Sequence, residues 1–328
     1  MQLYKKGEYW QGYRQFCEQF LYPLLLNSKS GVSHNNIYRG SMFGMNADTI
    51  SKLIPFYKKF SLNFILHVTL QSLAAKKTLG NEELVAKKIK KQKHLPKKSY
   101  MALLEQLYSW ISNLKINEKN VTTWGKYELE NSYLTKETEH KHEVIRKFIK
   151  RIKPDLLIDL GCNTGSFTKT ALNSGSKYAV GFDFDEKATS LAFKMAHNEH
   201  LNFLPLIFDA SNPTPSQGWL QNERLGFKER AKADAVLALA FQHHLTIAKN
   251  IPLDQSINWI IDIAPKGLIE FVPKEDNTVK KMLLIREDIF FNYNAKSFEN
   301  ILASKCKIDE KHQITNSGRI LYEFTRKN

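Results

Sequence analysis

A five-residue apolar run, Leu156-Leu-Ile-Asp-Leu160, passes directly into Gly161-Cys-Asn-Thr-Gly165 and then into a helix-compatible stretch starting near Ser166. Few folds accept such a unit. The glycines at 161 and 165 let the backbone turn sharply and approach a ligand that a Cβ would keep away. A second apolar run, Tyr178–Phe182, ends in Asp183, 24 residues beyond Asp159. A carboxylate at that strand end can accept hydrogen bonds from both hydroxyls of a ribose. Dinucleotide sites place a pyrophosphate on the helix N-terminus and need G-x-G-x-x-G. Here the second and third glycines of that pattern fall on Asn163 and Ser166, so the fingerprint fails twice.

The chain around this unit alternates. Leu156–Leu160, Tyr178–Phe182, Asn202–Phe208, Ala235–Ala240, Gly267–Val272, a weak run near Cys306–Ile308 and Ile320–Thr325 read as strands. Helix-length segments at Ser166–Asn173, Glu186–Glu199, Leu253–Ile263 and Ala295–Ala303 separate most of them. That alternation predicts a doubly wound α/β sheet, rich in parallel pairs. Upstream the pattern is helical. Apolar residues at 9, 10, 13, 16, 17, 20 and 21 follow a helical period that Pro23 should limit. Asn27–Asn46 reads as loop, Asp48–Phe60 and Leu62–Ala75 as two helices, Asn81 as an N-cap, and Tyr100–Leu114 and Lys136–Ile152 as further helices. Charge divides the same way: residues 1–150 hold 25 Lys and Arg against 12 acids, residues 151–328 hold 23 against 21. We therefore expect a basic helical domain over residues 1–135 and an α/β domain over 136–328.

The pattern Asp159-x-Gly161-x-x-x-Gly165 resembles motif I of the class I methyltransferases, whose ligand carries no phosphate. The resemblance implies a Rossmann-like fold and S-adenosylmethionine as cofactor. It implies that Asp159, Gly161, Cys162, Asn163 and Gly165 form the loop under the cofactor. Asp183 and Phe184 would then meet its ribose and adenine. Leu206-Ile-Phe-Asp209-Ala210 is a third strand end of the kind that contacts the adenine amino group in that superfamily, which adds Asp209 and Ala210. Longer strings are similar to the bacterial methyltransferase family related to the nodulation protein NoeA. They include Trp10-Gln-Gly-Tyr-Arg-Gln-Phe-Cys-Glu-Gln-Phe-Leu-Tyr-Pro-Leu24 and Ala238-Leu-Ala-Phe-Gln-His-His-Leu245. Glu270-Phe-Val-Pro-Lys-Glu-Asp276 and Arg286-Glu-Asp-Ile-Phe290 belong to the same resemblance. Members of that family carry a segment ahead of the Trp10 string, so the helical domain here is expected to be shortened.

Candidate chemistry sits after the fourth strand, where His243 and His244 stand in place of an Asn-Pro-Pro-Tyr motif. A histidine can take a hydroxyl proton near neutral pH, or it can cap and pack. Glu270 and the charged segment Pro273–Tyr293 either shape a substrate pocket or form a surface helix with i,i+4 pairing. Trp124, Tyr127 and Tyr133 either cover the cofactor or pack. Cys162 is expected to pack as a small residue. No HExxH or other clustered ligand set accompanies these residues, so no metal is expected. The acceptor is expected to be an oxygen or nitrogen of a small molecule or saccharide. Nine lysines within Lys76–Lys98 keep RNA open as an alternative, and a non-catalytic cofactor-binding module is the reading of another class. Three dispersed cysteines point to a reducing cytoplasm. Neither apolar stretch, Phe16–Leu26 nor Phe60–Ala75, supplies the roughly 20 clean apolar residues of a membrane span.

Overall fold

The computed structural model describes residues 7, 10–78, 95–115 and 135–327, which fall into two compact units, Met1–Val121 and Thr122–Asn328. Asn81, Trp124, Tyr127, Tyr133 and Lys87, Lys88, Lys90, Lys91 and Lys93 lie outside the described residues. No described helix is long and apolar enough to cross a membrane.

The first unit is helical, and its helices depart from their sequence-based limits at the prolines. Helix α1 (Tyr13–Phe16) runs through a π turn (Cys17–Leu21) into α2 (Tyr22–Ser30), so Pro23 does not end the helix. The Tyr22 N–H reaches back five residues to the Cys17 carbonyl, and this widened turn shifts the carbonyl that the proline ring would otherwise strike. Gly31, at φ +70°, closes α2 in the left-handed region, which suits a residue without a Cβ. The expected loop over 27–46 accordingly starts later, and it contains α3 (Asn35–Gly40). The predicted helix over 48–60 is α4 (Ala47–Leu53) followed by a 3₁₀ turn (Phe56–Lys58), because Pro55 forces Ile54 into extended backbone. Helix α5 (Leu62–Phe64), a second π turn (Ile65–Thr69) and α6 (Leu70–Thr78) make one continuous run. Helix α7 (Lys97–Ser112) starts after Pro96. Leu21, Leu25, Ile50, Phe64, Val68 and Trp110 form the core of this unit.

The first described helix of the second unit, α8 (Thr135–Ile152), buries Val144, Ile145, Phe148 and Ile149 along one stripe. Then follow β1 (Leu156–Leu160), α9 (Ser166–Asn173), β2 (Tyr178–Asp183), α10 (Glu186–Asn198), β3 (Phe203–Ile207), α11 (Phe227–Arg230) and β4 (Ala235–Ala238). The chain ends with α12 (Leu253–Ile261), β5 (Lys266–Phe271), α13 (Asn277–Leu283), α14 (Ala295–Lys305), β6 (Cys306–Gln313) and β7 (Ile320–Arg326). The sheet order is β3-β2-β1-β4-β5-β7-β6. The first five strands pair in parallel, while β7 is antiparallel to both β5 and β6.

The continuous apolar runs of β1 and β4 follow from burial on both faces. Ile158, Leu160, Val236 and Ala238 enter one core, and the alternating Leu157, Ala235 and Leu237 enter the other. Strand β6 is eight residues long where the sequence suggested three. It lies at the sheet edge, its residues are mostly polar, and a register shift between Ile308 and Glu310 breaks its alternation. Strand order reverses between β1 and β4, so a crevice opens beyond their carboxyl ends.

Candidate cofactor and active site

The loop after β1 is built from three left-handed residues, Gly161 (φ +76°), Asn163 (φ +49°) and Gly165 (φ +89°). The N–H groups of Gly161 and Cys162 both donate to the Phe182 carbonyl of β2, at 2.7 and 3.1 Å. Gly165 is dictated by packing, since a Cβ there would stand 2.6 Å from Phe203 Cε1. Cys162 is buried, and its Sγ would lie 2.7 Å from any Cβ added at Gly181. It fills the gap that glycine leaves in β2, and burial pushes its thiol pKa up.

Asp183 joins the two strand ends. Its Oδ2 accepts from the Asn163 N–H and its Oδ1 from the Asp185 N–H, each at 2.9 Å. Burial raises its pKa, and those backbone donors offset only part of the rise. Asp185 is the N-cap of α10 and accepts from the N–H groups of Lys187 and Ala188. Asp159 has a different setting. It is 2% exposed, does not line the cavity described next, and accepts at Oδ2 from the Thr168 hydroxyl at 2.6 Å. It ties β1 to α9 beneath the loop, and burial lifts its pKa to about 7.

A cavity of about 530 Å³ opens at the crevice. Gly161, Cys162, Asn163, Asp183, Phe184, Asp209 and Ala210 line it. Gly165 does not, although its neighbours Thr164 and Ser166 do. Phe184 presents its ring to the opening at 64% exposure, as a surface for a flat base. Asp209 accepts at Oδ1 from the N–H and hydroxyl of Ser211. The far wall comprises Thr138, Lys141, Phe167, Leu239, Phe241 and His244. The sequence pattern did not mark Thr138, Lys141 or Phe167; the available signal was the amphipathic stripe of α8, which brings its first turns to the sheet.

The two histidines separate. His244 lines the cavity, and burial together with the Arg319 guanidinium pushes its pKa down to about 4, so it is a neutral imidazole at neutral pH. His243 is 1% exposed, does not line the cavity, and neither ring nitrogen bonds to a described residue. Burial, then the neighbouring His244, Arg319 and Lys141, hold its pKa far below the usual value. Segment 273–293 contributes nothing to the cavity lining. It folds into α13, capped by Asp276, and its Lys274–Asp288 pair spans the segment in place of i,i+4 pairing. Glu270 is buried against Lys141. Among the described residues, Glu310, His312 and Glu323 have ligand atoms within 4.8 Å of one another, but Arg151 ion-pairs with both glutamates there. All three cysteines are free and buried.

The cavity suits a nucleoside with an amino-acid tail. Carboxylates end β2 and β3 on one side, an aromatic face is exposed beside them, and a glycine loop leaves room where a Cβ would intrude. With the parallel strands continued by an antiparallel β7, these features give the Rossmann-like fold of a class I methyltransferase domain. The chain is 45% identical over 330 residues to nodulation protein NoeA of Rhizobium meliloti (strain 1021), a match covering 98% of this chain and 68% of that protein. It belongs to the NoeA family. No family model matches it. Among solved structures it is similar to magnesium protoporphyrin IX methyltransferase (ChlM) of Synechocystis PCC 6803, at 17% identity and TM-score 0.43, over 58% of this chain and 84% of that one. It is also similar to the N-methyltransferase NodS of Bradyrhizobium japonicum WM9, at 12% identity and TM-score 0.44, over 58% and 88%.

Proposed function

We propose that the chain transfers the methyl group of S-adenosylmethionine to an oxygen or nitrogen of a small molecule or saccharide. The observation that carries this reading is that the cofactor-side residues Asp183, Phe184 and Asp209 and the post-β4 residues Phe241 and His244 line one cavity. A donor and an acceptor can thus meet out of bulk water.

The cofactor supplies an electrophilic methyl on a sulfonium. This chain's own residues hold and orient. Asp183 would take the ribose hydroxyls, Phe184 the adenine face and Asp209 the exocyclic amine. His244, neutral at physiological pH, would hold the acceptor by a hydrogen bond and receive its proton if the acceptor is a hydroxyl. An imidazole with a pKa near 4 is a weak base, so alignment is its larger contribution.

A small acceptor is favoured over RNA by the lining. Phe167, Leu239, Phe241 and Leu245 are apolar, and of its two lysines Lys141 is buried in an ion pair. RNA methylation stays the second reading because of the lysines between 76 and 98.

Calorimetry with S-adenosylmethionine, S-adenosylhomocysteine and NAD tests the cofactor, and selective binding of NAD or of none sinks the proposal. Radiolabelled methyl donor offered with total RNA, with an oligosaccharide pool or with a small-metabolite extract tests the acceptor. Label in RNA that is lost on Lys87/88/90/91→Ala substitution would shift the assignment to RNA. Donor binding without transfer to any pool would leave a binding module.

A further inference from the structure

Four charged side chains from four different segments lie buried together at the far wall of the cavity, where Lys141 lines it, and behind it. Lys141 of α8 donates from Nζ to both carboxylate oxygens of Glu270, at 3.1 and 2.8 Å, with the two side chains 1% and 0% exposed. Arg319, just before β7, stands with Nη1 3.9 Å from Glu270 Oε1. Its guanidinium grips Asp276 in a two-pronged pair, Nε to Oδ2 at 2.7 Å and Nη2 to Oδ1 at 2.8 Å. Two cations face two anions, so the cluster is neutral as a whole.

Burying such a cluster is expensive, and apolar residues of similar volume often serve stability as well or better. Its distinguishing contact is with the backbone of the site. Glu270 Oε2 also accepts the N–H of Ala240 at 2.6 Å. Ala240 sits just beyond β4 at φ +47°, a left-handed conformation that a Cβ disfavours. Its neighbours Leu239 and Phe241 line the cavity, and His244 follows one turn on. Phe241 in turn abuts the cofactor loop, since a Cβ on Gly161 would meet its Cδ2 at 3.0 Å.

We propose that Glu270, held by Lys141, is a positioning residue for the donor site. Its carboxylate fixes Ala240 in the left-handed turn, which seats Phe241 beside Gly161 and presents His244 to the cavity. The inference rests on the cavity being the S-adenosylmethionine site.

The test compares wild type, K141M/E270M, A240G and the triple variant by calorimetry with S-adenosylhomocysteine, with thermal melts to confirm folding. The double variant removes a cation and an anion together and leaves Arg319 paired with Asp276. It is expected to bind about tenfold more weakly. Glycine takes the left-handed conformation without help. Adding A240G should therefore restore affinity to within about threefold of wild type, an outcome that a general loss of packing would not give. If the double variant does not fold, E270D reads the same contact, because it keeps the charge and draws the carboxylate back by one methylene; about a tenfold loss is expected again. A240G alone should bind like wild type; a double variant or E270D that binds like wild type, or a triple variant that stays weak, overturns the proposal. Wild type that binds no S-adenosylhomocysteine overturns it together with the cofactor reading, so the two failures are distinguishable.

Discussion

Gly161 and Phe241 touch across the mouth of the cofactor cavity: a Cβ on the glycine would stand 3.0 Å from Phe241 Cδ2, in a backbone at φ +76°. The loop after β1 and the turn after β4 are thus fitted to each other at a point where only glycine serves. G161A adds both left-handed strain and a displaced ring. It should weaken S-adenosylhomocysteine binding by about tenfold or more, with little change in the circular-dichroism spectrum. Unchanged affinity would mean that the loop is not part of the donor site.

Two acids two residues apart should behave oppositely. Asp183 lines the cavity, whereas Asp185 caps α10. D183A is expected to lower cofactor affinity by roughly ten- to a hundredfold, as loss of charge-assisted hydrogen bonds does. D185A should cost about 1 kcal/mol of stability as a lost helix cap and leave affinity within a few-fold. Titration and melting of both variants decide the matter, and a D185A protein that binds as poorly as D183A would count against the assignment.

Asp159 gives a pH signature. Its folded pKa, raised to about 7 by burial, lies above the unfolded value of about 3.9. Its stabilising contribution is therefore complete below about pH 4 and is lost as pH rises towards 7. D159N keeps an oxygen for the Thr168 hydroxyl and has no proton to lose. The stability difference between D159N and wild type should move in favour of the variant from pH 4 to pH 8, by up to about 4 kcal/mol. Denaturant melts across that range would show a flat difference if the carboxyl is not perturbed.

For His244 the shift runs the other way. With its pKa pushed to about 4, the ring is neutral from about pH 5 upward. Once an acceptor is found, kcat/KM should be level from pH 6 to 8 and fall below about pH 5, not near 6.5. H244A should lose roughly ten- to a hundredfold in kcat and retain its affinity for S-adenosylhomocysteine. A limb near pH 6.5, or full turnover by H244A, would remove this residue from the chemistry.

The parallel half of the fold was legible because burial on both faces leaves uninterrupted apolar runs. Strands β1 to β5 and helix α9 fall within a residue or two of their expected limits. What escaped depends on partners far along the chain. The π turn ahead of Pro23 is a response to a local clash that periodicity does not register. Strand β6 hides its alternation because an edge strand is mostly solvated. Lys141 read as one more charge on a charged helix, since its partner Glu270 lies 129 residues away. Among the site residues, the motif brought Asp183, Phe184, Asp209 and Ala210 to the cavity, while Asp159 and Gly165 support the loop from behind. His243 and His244 look equivalent in sequence, and only the turn after β4 separates a wall residue from a buried one.

Because β7 inserts between β5 and β6, it lies inside the sheet and is hydrogen-bonded on both edges. Arg319, which anchors Asp276, immediately precedes it. Without β7, strand β6 would have no strand to pair with and one edge of β5 would be open. The wall of the donor site and the β5–β7–β6 side of the sheet are therefore expected to open together, as one cooperative unit.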